Sequence, residues 1–109
     1  MKMVDNKSDL EQFMHNTLRP VLKFQHDYIL AFINAEKHIQ REKIRQQENE
    51  QQQNFLSNYI SKNNKLRATL IGSIAGLFIS SEIEYYLENK REIDRRILEM
   101  AIVRYTSTL

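Results

Sequence analysis

Apolar residues recur every three or four positions from Leu10 to Ile33: Leu10, Phe13, Met14, Leu18, Val21, Leu22, Tyr28, Ile29, Phe32 and Ile33. That spacing gathers them on one broad face of an α-helix, with Glu11, Gln12, Arg19, Lys23 and Asp27 mainly elsewhere. Ser8 and Glu11 have the spacing of a capping box at the start of this helix. Residues 1–7 ahead of it are polar and read as a disordered N-terminus. Pro20 sits inside the pattern, where it removes a hydrogen bond and crowds the carbonyl four residues back. The periodicity passes through it, so the sequence predicts a kink, or a new helix with Pro20 in its first turn, rather than a break.

Beyond Ile33 the apolar pattern thins. Between Asn34 and Asn54 only Ala35, Ile39 and Ile44 are apolar, and most of the rest are good helix formers. A helix polar nearly all round does not lie flat on a core. The segment 34–54 therefore reads as a solvated polar extension or connector, with a bend near Gln51–Gln53. On that reading, serine at Ile39 and Ile44 would be close to neutral.

Phe55, Leu56, Tyr59 and Ile60 restore an apolar face, and Asn63–Asn64 can end one helix and cap the next. The most apolar stretch follows, from Leu66 to Ile79. Leu66, Leu70, Ile74, Leu77 and Phe78 form one side, and Ala68, Gly72, Ala75 and Gly76 form a strip of small residues on another. Ser81 and Glu84 make a second capping box before a long helix near 82–105. Its apolar face carries Ile83, Tyr86, Leu87, Ile93, Ile97, Leu98, Ala101, Ile102 and Tyr105. Glu88 with Arg91, and Glu92 with Arg95 or Arg96, have the spacing of intrahelical ion pairs.

The predicted fold is all-α: a small helical bundle in one domain, residues 8–109. A long, polar, kinked N-terminal helix region precedes a core antiparallel hairpin over 64–105, closed through Ser80–Ser81. With one proline and two glycines, the chain has few turn formers for a sheet. Ile71, Ile79, Tyr85 and Val103 would remain partly uncovered on a single copy, which predicts a homodimer or an obligate complex.

Composition narrows the chemistry. The absence of cysteine removes disulfide frameworks, cysteine-ligated zinc and thiol catalysis. The start has no apolar signal-peptide core, and the apolar run within Leu66–Ile79 is shorter than a membrane span. These features predict a cytoplasmic protein with no membrane partner. Sixteen basic residues are offset by 14 acidic ones, leaving a net charge of +2 that does not call for a polyanionic partner.

Candidate sites are few. His15, His26 and His38 are too far apart along a helix to chelate one metal, and no His–x–x–x–His or Glu–x–x–His pair exists. Glu82, Glu84 and Glu88 read as a solvated face, with Glu84 a cap and Glu88 an ion-pair partner. No nucleophile and base can be paired, so the sequence predicts no enzyme and no cofactor. Lys37, Arg41 and Arg45 form one basic stripe, and Lys90, Arg91, Arg95 and Arg96 another; Lys62, Lys65 and Arg67 cluster between them. These are candidate phosphate contacts, but acids interleave both stripes. A helix-turn-helix over Ala75–Glu92 would lack a glycine in its turn and would present acids where phosphates are met.

Ala68, Gly72, Ala75, Gly76 and Phe78 are the candidate packing and protein-contact residues. Two glycines four apart in an apolar helix point to a tight helix crossing, or to a groove for a partner's helix or a small apolar ligand. The crossing would make Gly76→Leu costly by ~1–3 kcal/mol through overpacking. The expected function is a non-enzymatic helical adaptor, inhibitor or regulator acting through protein–protein contacts as a dimer. The alternative is a nucleic-acid-binding regulator using the basic helix faces.

Overall fold

The structure is a computed structural model and describes residues 6–109, with side chains from Asp9 onward. It is an all-α bundle measuring 53 × 25 × 24 Å, and the described residues contain no strand. The expected disorder of the extreme N-terminus falls mostly on residues 1–5, outside the described residues. Helix α1 spans Asn6–Phe13, so Ser8 lies inside it rather than at its N-cap.

The chain passes Pro20 without leaving helical geometry. A π-helical turn, Met14–Leu18, joins α1 to α2, Arg19–Phe24. The Arg19 amide bonds to Met14 O, five residues back. One extra residue in the turn relieves the crowding that a proline ring imposes on the preceding turn. A bend at Gln25 (φ −95°, ψ 15°) then leads into α3, His26–Asn34. Gln25 ties the bend to the rest of the fold, donating from Nε2 to Ser73 O at 3.0 Å.

The middle segment departs from the expected solvated extension. Residues 35–40 are non-helical, α4 is a short turn over Arg41–Arg45, and α5 runs from Asn49 to Ser61. The bends fall at 35–40 and 46–48, and Gln51–Gln53 lie inside α5. Ile39 and Ile44 are 6% and 4% exposed and belong to the core. Folding the segment back lets two isolated isoleucines each find an apolar pocket, which a straight solvated helix would deny them. Gln52 is buried with them and donates from Nε2 to Ile44 O at 3.1 Å and Gln47 O at 3.0 Å, satisfying carbonyls at the end of α4. Glu36 pins the 35–40 loop, accepting from Tyr59 Oη at 2.7 Å and Asn63 Nδ2 at 3.0 Å.

Lys62 closes α5, and Asn63 caps the next helix, α6, Asn64–Ala75, accepting from the Leu66 amide at 3.0 Å. Helix α7 covers Ser80–Glu88 and α8 covers Lys90–Thr106. The expected helix over 82–105 is thus divided at Asn89 (φ −128°, ψ 29°). The cap before it also differs. Glu82 rather than Glu84 reaches back, accepting from the Ile79 amide at 2.9 Å, and it also accepts from Thr17 Oγ1 at 3.2 Å.

Helix α8 is the centre of the bundle. It packs most extensively on α5 and α6, and further on α3 and α7. Ile93, Ile97, Ala101 and Tyr105 are essentially inaccessible, and they meet Leu18, Leu22, Ile29, Ile33, Leu56, Ile60, Leu70 and Ile74 in one core. Each large side chain buried this completely contributes about 1.5–3 kcal/mol. Tyr105 Oη donates to Asn34 Oδ1 at 2.6 Å, so its polar end is satisfied where its ring is buried. At the other end, the Phe13 ring lies against Phe78 and Tyr85, 5.5 and 4.9 Å between centroids.

Burial of Ile39 and Ile44 reverses the expected effect of replacing them. Ile44→Ser is expected to destabilise the fold by about 2–4 kcal/mol, combining lost apolar burial with a hydroxyl in the core. Urea denaturation reads the change; a shift below about 0.5 kcal/mol would return the segment to solvent.

Candidate functional site

The strip of small residues does not line an intramolecular crossing. The buried face of α6 carries Leu66, Leu70, Ile71 and Ile74, while Ala68, Gly72 and Gly76 are exposed and Ala75 is half-buried. A Cβ at Gly72 would meet nothing within 4 Å. At Gly76 a Cβ would stand 2.7 Å from Gly72 O, so the tightness there comes from the chain's own last helical turn. Phe78 is in the core, against Phe13 and Tyr86.

The division at Asn89 also changes which side chains reach solvent. A continuous helix would align Ile83 and Leu87 with Ile97 and Ala101. The break turns α7 so that Tyr86 stays in the core while Ile83 and Leu87 leave it. Ile79, Ile83 and Leu87, spaced by four, are then 64%, 40% and 62% exposed, and Leu77 beside them is also exposed. Of the residues expected to remain uncovered, Ile79 and Val103 are exposed, Tyr85 is half-buried and Ile71 is buried. A second row, Phe24, Tyr28 and Phe32, has the same spacing; Phe24 is 78% exposed and the rings of Tyr28 and Phe32 stack at 4.3 Å. Tyr28 and Phe32 were expected to continue the core face, but the bend at Gln25 aims Ile29 and Ile33 inward and leaves the aromatic row outside.

Half of the candidate phosphate-binding cations already have partners inside the chain. The Arg41 guanidinium bonds to Thr108 O at 2.5 Å and to Thr108 Oγ1 at 3.3 Å, and lies 5.8 Å from the Tyr105 ring centroid. It fastens the end of α8 to the middle segment. Arg45 pairs with Glu42 at 3.0 Å. Arg95 is held by Glu92 and by Glu99, the latter at 2.6 Å. Arg96 shares Glu92 at 2.9 Å. Lys37 and Arg91 are exposed and enter no ion pair among the described residues.

Lys90, itself exposed, covers a buried Tyr86–Asp94 pair that the sequence reading missed. Asp94, one of the acids that interleave the last basic stripe, is 4% exposed. Its carboxylate accepts from Tyr86 Oη and, at 2.8 Å, from Lys90 Nζ. Lys90 also lies 5.7 Å from the Tyr86 ring centroid. The three side chains bridge α7, the Asn89 break and α8. The spacing Tyr86–Lys90–Asp94 was the available signal, because residues four apart share a helix face. Burial, then the bond to Asp94, raises the Tyr86 phenol above its ordinary value of 10.0. The hydrogen bond and charge of Asp94 raise Lys90. Both oxygens of Asp94 are engaged, which suits a structural lock better than proton transfer.

Two grooves flank α8. One, of about 610 Å³, lies toward the N-terminal helices and is lined by Arg19, His26, Met100, Val103, Arg104 and Thr108 among others. Arg104 Nη1 and His26 Nδ1 are 3.2 Å apart there, and Lys23 and Phe24 extend its rim. The other, of about 380 Å³, lies between α5 and α8, where Arg67, Arg91 and Arg95 meet Ser57 and Ser61.

The histidines lie in different elements: His15 in the π-helical turn, His26 at the start of α3 and His38 in the 35–40 loop. Among the described residues no group of three His, Asp or Glu side chains converges as a metal site would require. Glu82 caps α7, while Glu84 and Glu88 are exposed. No described helix is long and apolar enough to cross a membrane. No protein-family model, curated protein or solved structure matches the chain.

The polar lock makes stability sensitive to alkali. Tyr86 and Lys90 hold their protons more tightly folded than unfolded. Their contribution is complete below the unfolded values, near 10, and is lost as pH rises through the raised folded values. Stability is therefore expected to decline above about pH 10, with a shallower decline in Tyr86→Phe. Thermal unfolding across pH 8–12 measures this, and identical alkaline profiles for the two proteins would contradict it.

Proposed function

We propose that the protein is a non-enzymatic helical adaptor or regulator that acts through protein–protein contact and self-associates through the outer face of α7. The observation that carries this reading is the exposed row Ile79, Ile83 and Leu87, flanked by Leu77. Ile83 and Leu87 lie about one turn apart on α7, roughly 6 Å, and Ile79 is the N-cap of that helix. A straight apolar row of this kind is self-complementary when two copies meet antiparallel across a two-fold axis. Just before it in the chain, the exposed surface of α6 is poor in side chains at Ala68, Gly72 and Gly76, so a second backbone can approach closely.

The aromatic row on α2 and α3 is the surface for a target. Its Phe24 end adjoins Lys23, His26, Arg104 and one carboxylate, Asp27, a balance that favours a partner presenting acidic groups beside apolar ones. The nucleic-acid alternative is weakened, because Arg41, Arg45, Lys90 and Arg95 are engaged within the chain.

Gly72→Leu separates folding from association. The site is open in the single chain, and leucine is the better helix former, so the fold is expected to keep or gain stability. Light scattering should give the wild type twice the 13.1 kDa chain mass. Gly72→Leu and Leu87→Glu should each return one chain mass with unchanged helicity by circular dichroism. A wild type that stays at one chain mass at the highest soluble concentration would overturn the self-association.

A further inference from the structure

We propose that the groove between α5 and α8 binds the phosphate group of a small molecule. Its polar end is built from three helices: Ser57 and Ser61 on α5, Arg67 on α6, and Arg91 and Arg95 on α8. Residues four apart share a helix face, so the serine pair and the α8 arginine pair each form a row along the groove. Two further residues of the same α8 face, Leu98 and Ile102, continue the second row as an apolar wall. The groove thus offers guanidinium groups and the Ser57 hydroxyl at one end and an apolar surface at the other, within about 380 Å³, while the Ser61 hydroxyl donates to Asn58 O at 2.9 Å. That volume falls within the range of small-molecule sites.

The charge balance favours an anion. Three guanidinium groups and one carboxylate, Glu99, line the groove. Arg67 and Arg91 enter no ion pair among the described residues. Arg95 is engaged at every nitrogen: its Nε, at 3.3 Å, and its Nη2 reach Glu92, and its Nη1 reaches Glu99 at 2.6 Å. Guanidinium groups recognise phosphate oxygens through paired N–H donors, and those of Arg67 and Arg91 carry no carboxylate of their own among the described residues. A phosphate satisfies the unpaired guanidinium groups and competes with Glu99 for the Nη1 edge of Arg95. This site is independent of the self-association proposed for α7, since none of its residues lies on that row.

Isothermal titration of the full chain with inorganic pyrophosphate at low ionic strength tests the proposal. Arg67 and Arg91 are exposed, so replacing them spares the core. Arg67→Gln and Arg91→Gln are each expected to weaken pyrophosphate binding about tenfold. Glu99→Gln is expected to tighten it by releasing Arg95 Nη1. Lys37→Gln, on an exposed residue outside the groove, should leave it unchanged. Absence of binding, insensitivity to both arginine variants, or an equal loss in Lys37→Gln would overturn the site.

Discussion

Burial of α8 is the constraint on which the other elements depend. Ile93, Ile97, Ala101 and Tyr105 present apolar surface that no single neighbouring helix can cover. Helices α5 and α6 cover most of it, α3 covers the end near Tyr105, and α7 folds over the start. Each neighbour is then fastened by polar contacts at the edges of the core. Asn34 receives the Tyr105 hydroxyl, Asp94 joins α7 to α8, and Arg41 clamps Thr108. The apolar contact supplies the driving force, and these satisfied polar groups select the arrangement among compact alternatives.

The same constraint accounts for what the sequence conveyed and what it did not. The all-α character, the periodic N-terminal face and the Asn63 junction were legible, because each follows from local spacing and capping. The fate of Ile39 and Ile44 was not. An isolated isoleucine every five residues carries no periodic signal, and its burial depends on where a distant helix places a pocket. The π-helical turn beside Pro20 was half legible: continuity was implied by the pattern, while the extra residue that permits it was not. Asn89 hid inside a strong apolar period, since nothing in the period marks a rotation between its two halves. That rotation kept Tyr86 in the core and put Ile83 and Leu87 out.

The candidate sites divide along the same line. Gly72 and Gly76 stood out as a packing signal, yet the face they occupy is uncovered in the single chain. The basic stripes were visible as a count of cations. Their carboxylate and carbonyl partners were visible only where the spacing was local, as for Arg95 with Glu92, and not for Arg41 with Thr108, 67 residues away. The convergence of Arg67 with Arg91 and Arg95 arises because α6 and α8 both pack on α5. The outer surface carries apolar rows on α7 and on α2–α3, and among its charged groups Arg45, Lys90, Arg95 and Arg96 are paired within the chain.

The central claim is that the α7 row meets its counterpart on a second copy. Because the chain has no cysteine, one introduced thiol reports that meeting without interference. Mild oxidation of Ile83→Cys should give a disulfide-linked dimer rapidly, since the middle of an antiparallel row lies near the two-fold axis. Lys43→Cys, on α4, serves as the reference for random collision. Faster cross-linking at position 83 than at 43, persisting on dilution, is the predicted result. Equal rates at the two positions, falling together with concentration, would contradict the account.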